Sequence, residues 1–181
     1  MAVTKQLFVF ATVGTDHHPF DRFVEWIDTW QSGHSECEMF VQRGSTSRIP
    51  KTSSTPFLEP GELAALMRRA DTVVCHGGPS TIMEARRAGI VPIVVPRDPS
   101  KGEHVDDHQM RFTDFMAAKG AILLARTEDE LAAHLESVVQ GQVERIAVGS
   151  PVETLNAISS IIEELMSRPQ RSLLGSWRRR S

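Results

Sequence analysis

The chain has 181 residues, 40% of them hydrophobic and 24% charged, enough to bury one sizeable core but hardly two. Twenty basic against 23 acidic residues leave a formal charge of −3, which excludes the broadly basic surface that grips nucleic acid. The charge is uneven: residues 168–181 hold five arginines and no acid, so an acidic body (1–167) ends in a basic tail (168–181).

In chain order, the apolar run over residues 6–13, ended by Gly14, predicts a strand covered on both faces, as in a parallel sheet. Residues 19–31 place Phe20, Phe23, Val24, Ile27 and Trp30 at helical spacing, with Gly33 as a stop. A strand over 38–42 follows, then a Ser/Thr/Pro-rich loop over 44–55, a brief strand over 56–58 and a helix over 61–70. Residues 72–75 predict a strand, 80–88 a helix and 90–95 a strand. Beyond these come a helix over 106–119, a strand over 121–124, a helix over 128–139 and a closing helix over 151–168. Strands alternating with helices of about ten residues predict an α/β fold, a Rossmann-like doubly wound parallel sheet of about six strands. In such sheets ligands lie beyond the carboxyl ends of the strands, so the loops at 14–19, 43–55, 76–80 and 96–105 are the ones to watch.

The N-terminus has no basic leader and no apolar stretch long enough to span a bilayer, so a cytoplasmic location is expected. Cys37 and Cys75 have neither metal-knuckle nor redox spacing and are read as reduced core residues.

The most informative segment is VVCHGGPSTIMEARRAG, residues 73–89. A strand ends at His76, Gly77 and Gly78 follow, and a helix begins near Pro79 to Thr81, with Ser80 and Thr81 offering hydroxyl donors. Outward-pointing amides at a helix start attract an anion, and two glycines let it approach. Glu84 lies one turn further on the same face, where a carboxylate can accept the hydroxyls of a ribose. Thr81 with Glu84 three residues on equally fits a capping box, with the glycines merely allowing a tight turn. No GxGxxG or GxxxxGK[ST] is present, which argues against a dinucleotide oxidoreductase and a P-loop phosphotransferase.

His104 and His108 are four residues apart, a spacing that can hold zinc, but Val105 stands where a zincin carries Glu, so no metal site is expected. His108 and Gln109, at a helix start over the sheet, can instead hydrogen-bond a polyol, or the acids beside them can simply cap the helix. In the first loop, Gly14 and Thr15 make a further anion- or sugar-contacting turn. Asp16 or His17 there can serve as a general base or cap the following helix.

Together, TVGTDHHPFDR, PFLEPGELAALMRRADTVVCHGGPSTIMEARRAGIVPIVVPR and HVDDHQ resemble, in order, the C-terminal, donor-binding half of GT-B glycosyltransferases. The likeness is to family 28, which includes the peptidoglycan N-acetylglucosaminyltransferase, the catalytic subunit of the dolichol-pyrophosphate N-acetylglucosaminyltransferase and short bacterial exopolysaccharide subunits. It covers residues 7–139. The resemblance implies that His76, Gly77, Gly78, Ser80 and Thr81 hold the donor pyrophosphate and that Glu84 binds ribose. It places Phe57 and Leu58 at the uracil edge, His108 and Gln109 at the donor sugar, and Gly14 with Thr15 facing an interdomain cleft.

A full GT-B enzyme has two such domains, so the resemblance further implies half of a GT-B fold. The expectation is a glycosyltransferase subunit that takes a UDP-sugar as substrate, without cofactor or metal. A membrane-anchored partner subunit would bind a lipid-linked saccharide acceptor and hold the chain at the inner face of the membrane. The basic tail, with Leu173, Leu174 and Trp177 among its arginines, suits a partner surface or anionic headgroups. Self-association is compatible with the isolated chain. Two other readings stay open: a non-catalytic nucleotide-sugar-binding or stabilising subunit, and a UDP-sugar epimerase, which would need both domains in one chain.

Overall fold

In a computed structural model that describes residues 6–143, six parallel strands form one sheet in the order β3-β2-β1-β4-β5-β6. They are β1 (Phe8–Thr12), β2 (Glu38–Gln42), β3 (Ser53–Thr55), β4 (Thr72–His76), β5 (Ile93–Val95) and β6 (Leu123–Leu124). Every residue of β1 and β4 is buried, as their near-continuous apolar runs require of strands covered on both faces. From β1 the chain first winds outward through β2 and β3, then crosses back to add β4, β5 and β6 on the other side. The order therefore reverses between β1 and β4, which pair directly with Thr12 opposite Cys75.

The helices are α1 (Asp21–Ser32), α2 (Pro60–Arg69), α3 (Pro79–Arg87), α4 (His108–Ala118) and α5 (Glu128–Val139), with a short 3-10 turn at Pro99–Lys101. Helix α1 packs against α5, and α2 against α3. Phe23, Ile27 and Trp30 of α1 and Leu131 and Leu135 of α5 share one buried cluster with Val9, Ala11, Met39, Val41, Val74 and Ile93 of the sheet. Burying each such side chain contributes about 1.5–3 kcal/mol. Helices α2 and α5 both start with the reciprocal capping box, Glu59 with Glu62 and Thr127 with Glu130. Cys37 and Cys75 are free and buried.

Several boundaries differ from expectation, β1 and β6 being shorter than the runs read over 6–13 and 121–124. The third strand is Ser53–Thr55, inside the segment read as loop, and not residues 56–58. Strand β2 sets that register, with Gln42 opposite Thr55, and the chain leaves the sheet at Pro56, which has no amide to offer a ladder. Strand β5 begins at Ile93 and not residue 90, directly after Pro92. Helix α4 begins at His108, two residues later than residue 106, because the Asp106 side chain accepts from the His108 amide at 3.0 Å. The helix expected over 151–168 and the basic tail lie outside the described residues. No helix among the described residues is long and apolar enough to cross a membrane.

Candidate functional site

A cleft of about 250 Å³ opens where the strand order reverses, beyond the carboxyl ends of β1 and β4. Of the residues singled out from sequence, Gly14, Thr15, Leu58, His76, Gly78, Ser80 and Thr81 line it. Thr12, Gln42, Leu63 and Pro79 also line it, and the sequence reading assigned none of the four to a ligand.

The floor is the start of α3. Gly78 is its N-cap and Pro79 its first residue, and no side chain caps it. Thr81 is thus the third residue of the helix and not its cap, so the capping box of Thr81 with Glu84 is not formed. The amides of Ser80 and Thr81 have no acceptor within the helix, and the helix dipole places partial positive charge at their end. Glu84 is half-buried one turn on, and its carboxylate has no hydrogen-bond or ion-pair partner among the described residues.

Between the β1 and β4 loops stands the imidazole of His76. A Cβ on Gly14 would lie 2.4 Å from its Cε1, and one on Gly78 2.2 Å from its Nε2. Both glycines are therefore required by the ring, and Gly14 also has φ of 76°, a conformation that favours glycine. The Nδ1 of His76 is buried without a hydrogen bond. Burial, and then the charge of Arg97, push its pKa down to about 4, so the ring is neutral near pH 7.

On the β2 side, Gln42 is 3% exposed. Its Oε1 accepts from the Thr12 hydroxyl, and its Nε2 donates to the carbonyls of Gly14 at 3.0 Å and Pro56 at 2.7 Å. The Pro56 carbonyl also accepts from the Gly44 amide at 2.9 Å. Leu58 enters the cleft two residues further on, while Phe57 is 54% exposed and does not line it.

On the β5 side, Arg97 is fully buried. Its Nη1 donates to the carbonyls of His18 at 2.9 Å and Glu103 at 3.0 Å, and its Nη2 to that of Val13 at 3.0 Å. The guanidinium also lies 4.7 Å from the Phe20 ring centroid. Glu103 makes a bidentate pair with Arg22 at 2.8 and 2.7 Å and accepts the Asp98 amide at 2.9 Å. The only signal for this core in the sequence is an arginine directly after the apolar run of β5.

His108 and Gln109, expected to act together, are separated. Gln109 turns inward, where its Oε1 accepts the amides of Gly77 at 3.1 Å and Arg97 at 3.3 Å. The Gly77 amide is thereby engaged, which leaves Ser80 and Thr81 as the better anion donors. His108 is 66% exposed and held by Asp106 at 2.7 Å.

In the first loop Asp16 accepts from the His18 amide at 2.8 Å and meets its Nδ1 at 2.7 Å, while His17 is 86% exposed and 3.7 Å away. Burial works to raise the Asp16 pKa but is outweighed by the His18 hydrogen bonds and the Arg97 charge, so it is lowered. An acid so stabilised as carboxylate is a weak proton acceptor. Asp16, His17 and His18 are the one group among the described residues whose ligand atoms lie within 4.8 Å of one another. The turn made by the Asp16–His18 bonds accounts for that grouping without an ion.

The sequence signature described as the glycosyltransferase family 28 C-terminal domain matches residues 8–164. The chain is 33% identical over 118 residues to the UDP-N-acetylglucosamine--N-acetylmuramyl-(pentapeptide) pyrophosphoryl-undecaprenol N-acetylglucosamine transferase of Xanthomonas axonopodis pv. citri (strain 306), covering 60% of this chain and 26% of that protein. To the enzyme of the same name from Xylella fastidiosa (strain M12) it is 38% identical over 114 residues, covering 61% and 28%. The chain thus spans about a quarter of the length of these curated relatives. Among solved structures it is similar to Acinetobacter baumannii MurG, with a TM-score of 0.55, 20% identity, and 90% of this chain and 54% of that one covered. The solution structure of ALG13 is similar with a TM-score of 0.56 and 16% identity, covering 84% of this chain and 94% of that one. These structural likenesses establish the fold, half of a GT-B architecture.

Proposed function

The chain belongs to the glycosyltransferase family 28 C-terminal domain family, and we propose that it binds a UDP-sugar in the cleft between β1 and β4 for transfer to a lipid-linked saccharide. The observation that carries this reading is the uncapped start of α3 at the topological switch point, opened by Gly78 and lined by Ser80 and Thr81. The diphosphate sits on the amides and hydroxyls of Ser80 and Thr81, beside neutral His76. Glu84, without another partner among the described residues, accepts the ribose hydroxyls, and Thr15 approaches the distal phosphate from the other wall. The uracil lies on the Leu58 side and the sugar toward Gln109.

In the transfer, the bond from the anomeric carbon to the acceptor oxygen forms as the bond to the β-phosphate oxygen breaks, with inversion. UDP leaves with the electron pair. The charge growing on it is stabilised by donors already in place, at no cost of reorganisation during the reaction. The acceptor proton goes to a base outside the described residues. Asp16 is poorly suited because its carboxylate is already stabilised by His18, and it is better read as the group that orients the first loop. On this reading the acceptor and that base belong to a membrane-anchored partner subunit; the pyrophosphoryl-undecaprenol acceptor named for the Xanthomonas relative supports the lipid-linked class of acceptor.

The test is calorimetric titration of UDP into the purified chain, followed by a thermal-shift screen of nucleotide sugars. Saturable UDP binding that weakens in Glu84→Ala is the expected result. No UDP binding by the native chain, or an unchanged affinity in Glu84→Ala, overturns the assignment.

A further inference from the structure

The amide of Gln42 joins three backbone segments that no other side chain connects. It is the last residue of β2, buried, and all of its hydrogens are spent. Two backbone carbonyls, Gly14 at 3.0 Å and Pro56 at 2.7 Å, can be met only by its Nε2, which fixes the amide orientation and leaves Oε1 for the Thr12 hydroxyl. Thr12 Oγ1 in turn accepts the Gly14 amide at 3.2 Å. Gly14 is thus held at its N–H through Thr12 and at its C=O directly. Its carbonyl is also crowded by the next loop, since a Cβ on Gly44 would approach it to 2.8 Å.

Gln42 lines the cleft yet has no donor left for a ligand, so its action runs through the loops it holds. One is the Gly14–Thr15 turn against His76, at the phosphate end. The other is the segment after Pro56 that delivers Leu58, at the base end. That segment leaves the three-residue edge strand β3 and has no secondary structure until α2 begins at Pro60, and the Gln42 bond to Pro56 fixes it together with the Gly44 amide on the same carbonyl and the Thr55 hydroxyl on the Phe57 carbonyl.

We propose that Gln42 is a positioning residue that sets the span between the phosphate end and the base end of the cleft, and so determines selectivity for a uridine nucleotide. The inference rests on the UDP reading above and deepens it by assigning base selectivity to a tether and not to a ligand contact. A pre-set span lets one nucleotide engage both ends without ordering a loop on binding. ADP shares the ribose and diphosphate but presents a purine to the base end, so it feels the tether only through Thr15 at the phosphate end, whereas UDP feels it at both ends.

NMR titrations of UDP and ADP into the native chain, Gln42→Met and Thr12→Val, each with a thermal unfolding curve, test this. The native chain is expected to prefer UDP. Gln42→Met should lose about tenfold in UDP affinity, the scale of a lost buried hydrogen bond or two. Its ADP affinity should move by less than about twofold. A purely structural role would weaken both nucleotides in proportion, and that result overturns the proposal, as does an unchanged preference for UDP. If Gln42→Met does not fold, Thr12→Val decides, with the same selective loss at about threefold supporting the proposal and no selective loss overturning it. A native chain that binds neither nucleotide overturns the UDP reading itself, a failure distinct from a variant that keeps its preference.

Discussion

On the β2 side of the cleft the loops are held by an uncharged amide, Gln42, bonded to Thr12, Gly14 and Pro56. On the β5 side the same work falls to Arg97, a fully buried cation bonded to the carbonyls of Val13, His18 and Glu103. Both anchor the loop after β1, from opposite walls. The neutral hub is cheap to bury and acts through geometry alone. The charged one carries a large desolvation cost, offset by four or more favourable groups around it. It also places positive charge beside His76, where it adds to the lowering of the pKa that burial already imposes. The comparison teaches that one wall governs fit and the other governs both stability and field.

The harshest way to probe the difference is Arg97→Met. It takes the guanidinium donors from three carbonyls, those of Val13 and Glu103 in buried bonds and that of His18 in a part-buried one, and removing one side of a buried charged network typically costs about 3–5 kcal/mol. Chemical denaturation should show that loss, well above the loss in Gln42→Met, and equal losses would erase the distinction between the walls.

Acid probes the same field. Between pH 6.5 and about 4 the unfolded chain binds a proton that folded His76 refuses. Stability is therefore complete above pH 6.5, falls as the pH drops toward 4 and levels off below, by about 3 kcal/mol in all. Unfolding midpoints across that window should flatten in His76→Asn, and a native chain with no slope there would contradict the buried neutral ring.

Gly78→Ala isolates the phosphate end. The added Cβ meets His76 at 2.2 Å, so ring or helix start must shift, and UDP affinity should fall about 100-fold, near 2.7 kcal/mol. Glu84→Ala should have the smallest effect, about tenfold in UDP affinity. It should leave the thermal midpoint unchanged, since the carboxylate has no partner among the described residues. A shifted midpoint would show that Glu84 belongs to the framework and not to the ligand.

Much of this arrangement was legible in the chain itself. The run of β1, the helical spacing of Phe23 and Ile27 and the repeated change of period fixed the class of fold, and the glycines after β4 marked the turn into the uncapped start of α3. The third strand was misplaced because Ser53–Thr55 has no apolar pattern and exists through pairing with β2. The capping box at Thr81 failed because the helix is entered at Gly78, three residues before the cap that the box requires. The engagement of Gln109 Oε1 with the Gly77 and Arg97 amides was not legible, because those partners lie 32 and 12 residues away.

What the sequence determined by itself was local: periodicity sets which residues turn inward, and glycine and proline set where the chain bends, through steric limits that act within a few residues. What only the tertiary structure decided was the identity of the hubs. Gln42 reaches Gly14 across 28 positions, and Arg97 reaches Val13 across 84. A buried polar group must find whichever partner folding brings within about 3 Å, and no local pattern records which one that is.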